Sequence, residues 1–128
     1  MSDDFPQELR KFLADNVRSV AQLETLLLLR GGRNRGWSAA EVGSAIYMNA
    51  EMAELQLNEL VNRGLLRAEH ESETKFHFEP ATELWDRLIG NLADLYRERR
   101  VSVITAIYSE PVDKIRTFAE AFRLRKEK

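Results

Sequence analysis

Cysteine does not occur in this chain, so no disulfide framework, thiol nucleophile or cysteine-ligated zinc can be built from it. Histidine is nearly as scarce, with only His70 and His77. No HExxH, GxSxG or glycine-rich dinucleotide fingerprint is present, which leaves catalysis little to rest on. No stretch approaches the roughly 20 apolar residues of a membrane span. The opening MSDDFPQELR is acidic and lacks the apolar core of a signal peptide, and a soluble cytoplasmic protein without membrane contact is expected. A large excess of either charge is also missing, the net charge being −2 over 128 residues. That length suits a single domain able to bury a core without staples.

What the chain does have is organised around residues 38–78. Ser38 opens a short helix, and Glu41 three residues on completes a capping box in which hydroxyl and carboxylate satisfy each other's backbone donors. Trp37 just before it is placed to staple onto Val42. This helix is expected to stop near Met48, because Asn49 is a good N-cap and Ala50, Glu51 and Met52 give an uncrowded, acidic first turn. A second helix then runs to Arg63. Gly64 ends it, since a residue without Cβ takes the left-handed C′ conformation freely. Residues 66–70 and 75–78 alternate in period two around a polar tip, Glu71-Ser72-Glu73-Thr74, which predicts a hairpin.

The spacing Ala53, Leu57, Leu60, Gly64, Leu65 turns one apolar stripe of the second helix inward and leads the chain into the hairpin. This pattern resembles the winged-helix transcription regulators of bacteria, in the broad MarR-like and PadR-like sense. The resemblance covers about half the chain. It implies a mainly α protein with a small β-hairpin wing, a winged helix-turn-helix carrying N-terminal and C-terminal helical extensions, and DNA as its partner.

The flanks read as helices. Residues 5–16 place Phe5, Leu9, Phe12 and Leu13 on one face, with Pro6 early, where its missing N–H costs nothing. This helix, within an arm over 5–18, is expected to pack on the C-terminal helices. A second capping box, Ser19 with Gln22, starts a helix whose Leu23 and Leu26 to Leu29 make it apolar nearly all round, hence the buried centre of a core spanning 19–79. Beyond Pro80, the C-terminal region 80–128 begins with a long helix in which Trp85, Leu88, Leu92 and Leu95 form a stripe that wants a partner. Dimerisation through this stripe is the expectation. Residues 101–108 are β-branched, yet they follow without a breaker and are read as helix. Pro111 forces a break, and Val112, Ile115, Phe118, Ala119 and Phe122 predict a last amphipathic helix before a basic end.

The loop Gly31-Gly32-Arg33-Asn34-Arg35-Gly36 has a superficial likeness to a phosphate loop. Trp37 stands where a Walker loop needs lysine, and the loop joins helix to helix, so nucleotide binding is rejected. Arg33 and Arg35 beside the helix start at Ser38 remain as phosphate contacts, or as loop arginines that balance nearby carboxylates. His70, His77, Glu69 and Glu79 read as ordinary polar wing residues. No metal, cofactor or catalytic residue is expected, and the chain is read as a non-enzyme.

If Ala53, Leu57 and Leu60 face the core, then Ala50, Glu51, Glu54, Leu55, Asn58 and Asn62 face outward. A DNA-reading helix gains affinity by neutralising phosphates, but residues 39–79 hold three bases against eight acids, a balance of −5. Residues 97–128 hold nine bases against five acids, a balance of +4. Two readings stay open. In one, a dimeric regulator binds DNA through Asn49, Asn58 and Asn62, with Glu51 or Glu54 accepting from cytosine, and with Arg33, Arg35, Ser38 and the C-terminal bases near phosphates. In the other, the acidic face with Glu51, Met52, Glu54 and Leu55 binds a protein partner, since apolar anchors rimmed by charge build many interfaces.

Overall fold

The computed structural model describes residues 6–108. Phe5, the helix expected over 112–122 and the basic end lie outside those residues. The chain runs α1 (Gln7–Asn16), α2 (Val20–Gly31), α3 (Ala39–Ile46), α4 (Ala50–Asn62), β1 (Leu66–His70), β2 (Thr74–Phe78), α5 (Glu83–Glu98) and α6 (Arg100–Tyr108). The fold is mainly α with a two-stranded wing, a winged helix-turn-helix.

Local chemistry sets most boundaries. Ser38 Oγ accepts from the Glu41 N–H at 3.1 Å while Glu41 Oε1 accepts from the Ser38 N–H at 3.0 Å, so the capping box of α3 is complete. The Ser38 N–H bond, reinforced by Arg35, holds the Glu41 carboxyl below its ordinary pKa. Asn49 Oδ1 caps α4 through the Met52 N–H at 2.8 Å. At the far end Gly64 takes φ +84°. The Gly64 N–H then reaches the Val61 carbonyl at 2.9 Å and the Leu65 N–H the Leu60 carbonyl at 3.0 Å, the paired bonds of a Schellman motif.

One local expectation is corrected. Ser19 Oγ does cap α2 by accepting from the Gln22 N–H at 3.1 Å, but Gln22 Oε1 accepts from Arg18, not Ser19, at 3.0 Å. The reason is burial. Gln22 is 2% exposed, and its Nε2 donates to Glu59 on α4, so both ends of the amide find partners between elements instead of closing a box. Trp37, expected to staple onto Val42, is partly buried against the cluster that contains Val42 and also makes bonds that the sequence did not announce. Its N–H and carbonyl exchange bonds with Phe76 at 2.9 and 2.8 Å, adding a single-residue bridge to the free edge of β2, and Nε1 donates to the Gly32 carbonyl at 3.1 Å.

β1 and β2 pair antiparallel in the register Leu66↔Phe78 through His70↔Thr74. Leu66, Phe76 and Phe78 point into the core and the charged residues point out, as period-two alternation requires. Leu23, Leu26 and Leu29 of α2 are fully buried at the centre. Val42, Leu57, Leu60, Leu65, Phe76, Ile89 and Leu92 join them in one cluster.

α1 packs against α5 and α6, with Phe12 edge-on to Trp85 at 6.0 Å. That contact corrects the dimer seam. Leu88 and Leu92 are 6% and 0% exposed within one chain, and Trp85 and Leu95 are partly buried against the same core. Leu9, Phe12 and Leu13 of α1 supply the apolar partner, so the stripe is largely consumed inside the protomer. Residues 101–108 are helical as expected. Arg99 breaks them from α5 with φ −136° and ψ 61° and accepts the Val103 N–H at 3.1 Å. Packing overrides β-branching here, because Val103 is fully buried while Ile104, Ala106 and Ile107 are partly so.

Candidate nucleic-acid interface

The helix-turn-helix brings α3 and α4 together through a tight corner. Gly43 makes it possible. A Cβ there would lie 2.5 Å from the Met48 carbonyl oxygen, whose chain closes back on α3. Tyr47 at the corner adopts φ 64°, and its side chain is 95% exposed.

α4 then presents a clean outward face. Ala50, Glu51, Met52, Glu54, Leu55, Asn58 and Asn62 are all exposed, while Ala53, Gln56, Leu57 and Leu60 are buried. The expected orientation of the helix is correct. Glu51, Glu54, Asn58 and Asn62 follow three- and four-residue steps and therefore share one side. Asn49 sits at the start of that side, where its carbonyl oxygen already accepts the cap bond and its NH₂ donors carry no cap duty.

Ser38 is a correction. It is 4% exposed and its hydroxyl is committed to the capping box, so it belongs to the frame and not to a phosphate contact. Arg33 and Arg35 are half exposed but engaged. Arg33 pairs with Asp86 of α5 at 3.1 Å and lies 4.9 Å over the Phe78 ring. Arg35 pairs with Glu41 at 3.3 Å and stacks 3.6 Å over Trp37. Exposed pairs of this kind contribute about 0–1 kcal/mol each, so either guanidinium can exchange its carboxylate for another anion at small cost.

The wing is electrostatically self-contained. Arg67 donates to Glu79 at 2.8 Å and lies 3.7 Å from Glu69. His77 meets Glu69 at 3.0 Å, Lys75 lies 3.7 Å from Glu73, and His70 meets Thr74 at 3.2 Å. Arg63 turns away from α4's outward face to donate to the Asp15 carbonyl in the last turn of α1. The three bases of the acidic half are thus already engaged, and the −5 balance of residues 39–79 is concentrated on Glu51, Glu54 and the wing tip. Among the described residues no group of three or more His, Cys, Asp or Glu side chains is placed to hold a metal ion.

Sequence reasoning missed the Trp37–Phe76 bridge and the exposed Tyr47. A one-residue bridge has no periodicity to read. The signal for Tyr47 was present in the pairing of a helix stop with an aromatic residue between Ile46 and Met48, where no buried face remained for the ring.

No protein-family profile matches this chain, and no curated protein matches it significantly. Solved structures do. The DNA complex of MepR from S. aureus superimposes with a TM-score of 0.56 at 14% identity over 95% of this chain and 88% of that one. BpsR of Bordetella bronchiseptica, whose DNA binding is regulated by 6-hydroxynicotinic acid, gives 0.54 at 16% identity over 95% and 87%. A homodimeric winged helix-turn-helix DNA-binding domain from Mycobacterium bovis gives 0.54 at 20% identity over 77% and 90%. These likenesses establish the winged-helix fold.

Proposed function

We propose that this chain is a DNA-binding transcription regulator of winged-helix type that works in the cytoplasm as a homodimer and catalyses no reaction. The observation that carries this reading is α4 itself. It stands exposed beside the wing, with the side chains of Glu51, Glu54, Asn58 and Asn62 outward and without a hydrogen bond or ion pair among the described residues. In the groove the amides of Asn58 and Asn62 pair with adenine edges, and the carboxylates of Glu51 and Glu54 accept from cytosine N4. Arg33 and Arg35 exchange Asp86 and Glu41 for phosphate oxygens and fix the register. The likeness to a regulator captured on DNA supports the same assignment.

The proposed dimer seam moves from the α5 stripe to α6. Val101, Ile104, Thr105 and Tyr108 fall on one side of that helix at three- and four-residue steps. Val101 is 76% and Tyr108 60% exposed, which gives the protomer an apolar face without cover among the described residues. Two copies meeting there would set two α4 helices on one duplex.

The test is selection of duplexes from a random-sequence pool by the full chain, followed by a gel-shift titration. The expected result is enrichment of a defined site that competes out bulk DNA. A pool that stays random through the selection overturns the reading.

A further inference from the structure

We infer that the outward face at the start of α4 is also a docking surface for a cationic amphipathic segment of a partner protein, and that a partner seated there keeps the regulator off DNA. The docking half rests on this chain's surface alone. The exclusion half rests on the DNA reading given above, because the same residues would lie against base edges.

Three of the six exposed large apolar side chains among the described residues occur within residues 47–55. These are Tyr47 at 95%, Met52 at 46% and Leu55 at 50% exposure. Scattered exposed apolar residues need no explanation, but a group of them on one corner marks an interaction surface. Tyr47 strengthens the point. It is the only non-glycine residue with positive φ among the described residues, at a helix end where glycine meets no steric penalty and asparagine offsets it by local hydrogen bonding. A tyrosine there accepts backbone strain and gains no burial within the chain. Strain without a structural return, on an exposed aromatic ring, is what a ligand contact explains.

Charge specifies the partner. Residues 36–62 contain no lysine or arginine. Glu41 is neutralised by Arg35 and Glu59 is bound by Gln22, whereas Glu51 and Glu54 flank Met52 and Leu55 with no side-chain ion pair or hydrogen bond among the described residues. An apolar patch with an uncompensated anionic rim is complementary to apolar side chains flanked by Lys or Arg. It repels a polyanion that offers no matching donors.

The probe is a random peptide library displayed to the full wild-type chain and counter-selected against a variant carrying E51Q, E54Q and L55A. All three positions are exposed, and an unchanged unfolding midpoint confirms that the variant is folded. The expected outcome is enrichment of peptides with net positive charge and apolar anchors that bind wild type about tenfold or more tighter than the variant. Their binding should weaken with salt and shift the backbone amides of residues 47–58. A library that yields no binder, binders without cationic character, or equal binding to the variant overturns the docking surface. The exclusion is read separately, by adding the peptide to the chain bound to a duplex selected from the random-sequence pool. Release of the duplex supports it, and a stable ternary complex overturns it. A pool that yields no duplex ends the DNA reading, and the exclusion with it, without touching the peptide result.

Discussion

At the scale of single residues, the hydroxyl of Tyr96 ties three helices together. It donates to Glu24 of α2 at 2.9 Å, and Arg100 of α6 donates to the same carboxylate oxygen at 3.0 Å while lying 4.7 Å over the Tyr96 ring. Burial first, then the bond to the Glu24 carboxylate and its charge, push the tyrosine pKa up to about 12, with Arg100 pulling the other way. The folded state therefore holds this proton where the unfolded chain, titrating near pH 10, has released it. Stability from the contact is complete below about pH 10 and is lost as pH rises toward 12. By about pH 11 the loss should be on the order of 1 kcal/mol. Tyr96→Phe should be less stable than wild type near neutrality but should lack this alkaline decline. Urea denaturation at several pH values checks it, and parallel pH profiles for the two proteins would remove Tyr96 from the account.

At the scale of elements, α5 shows where sequence alone stops. Its apolar stripe was legible from three- and four-residue spacing, because periodicity reports which face is buried. It does not report what buries it, and here the cover is α1 from the other end of the chain. Leu92→Ala should therefore lower stability by about 2–5 kcal/mol, the range for a large-to-small change in a closed core, without altering the mass of the assembly at temperatures where it stays folded. Chemical denaturation combined with light scattering separates the two effects. Loss of the dimer at unchanged stability would return Leu92 to an intermolecular seam. The same distinction between local and distant explains the rest. The caps at Ser38, Asn49 and Gly64 were readable because each bond closes within a few residues. The role of Gln22 was misread and the bridge of Trp37 was missed because the decisive partners, Glu59 and Phe76, lie 37 and 39 positions away. For the candidate interface, the exposed side of α4 was legible residue by residue. The engagement of Arg33 by Asp86 was not, since nothing in the loop points to α5.

At the scale of the whole molecule, the apolar side of α6 and the acidic surface of α4 and the wing make two separate demands. In the proposed dimer a second copy covers the apolar side of α6. Val101→Glu at a 76% exposed position should change protomer stability by no more than about 0.5 kcal/mol while shifting the mass measured by light scattering from dimer to monomer. An unchanged mass would exclude that seam. The charge pattern makes the opposite demand, for restraint. Residues 39–79 carry −5, and the cations among them already face carboxylates or a backbone carbonyl within the fold. Few guanidinium or ammonium groups remain to release counterions from a phosphate backbone, and counterion release supplies nearly all nonspecific affinity. Wild-type chain should therefore bind arbitrary duplex DNA weakly even at low salt, where attraction is least screened, and the salt slope should be shallow. Replacing Arg33 and Arg35 by alanine should weaken binding to every sequence alike and flatten that slope further, because contacts to phosphate position without specifying. Changing Glu51 and Glu54 to glutamine should act in the other direction, raising affinity for arbitrary DNA while blurring preference at the cytosines they read. Gel-shift titrations over a salt series with one selected and one arbitrary duplex test all three proteins together. Tight binding of the arbitrary duplex by wild type at physiological salt would show that the molecule meets DNA with a surface other than α4 and the wing.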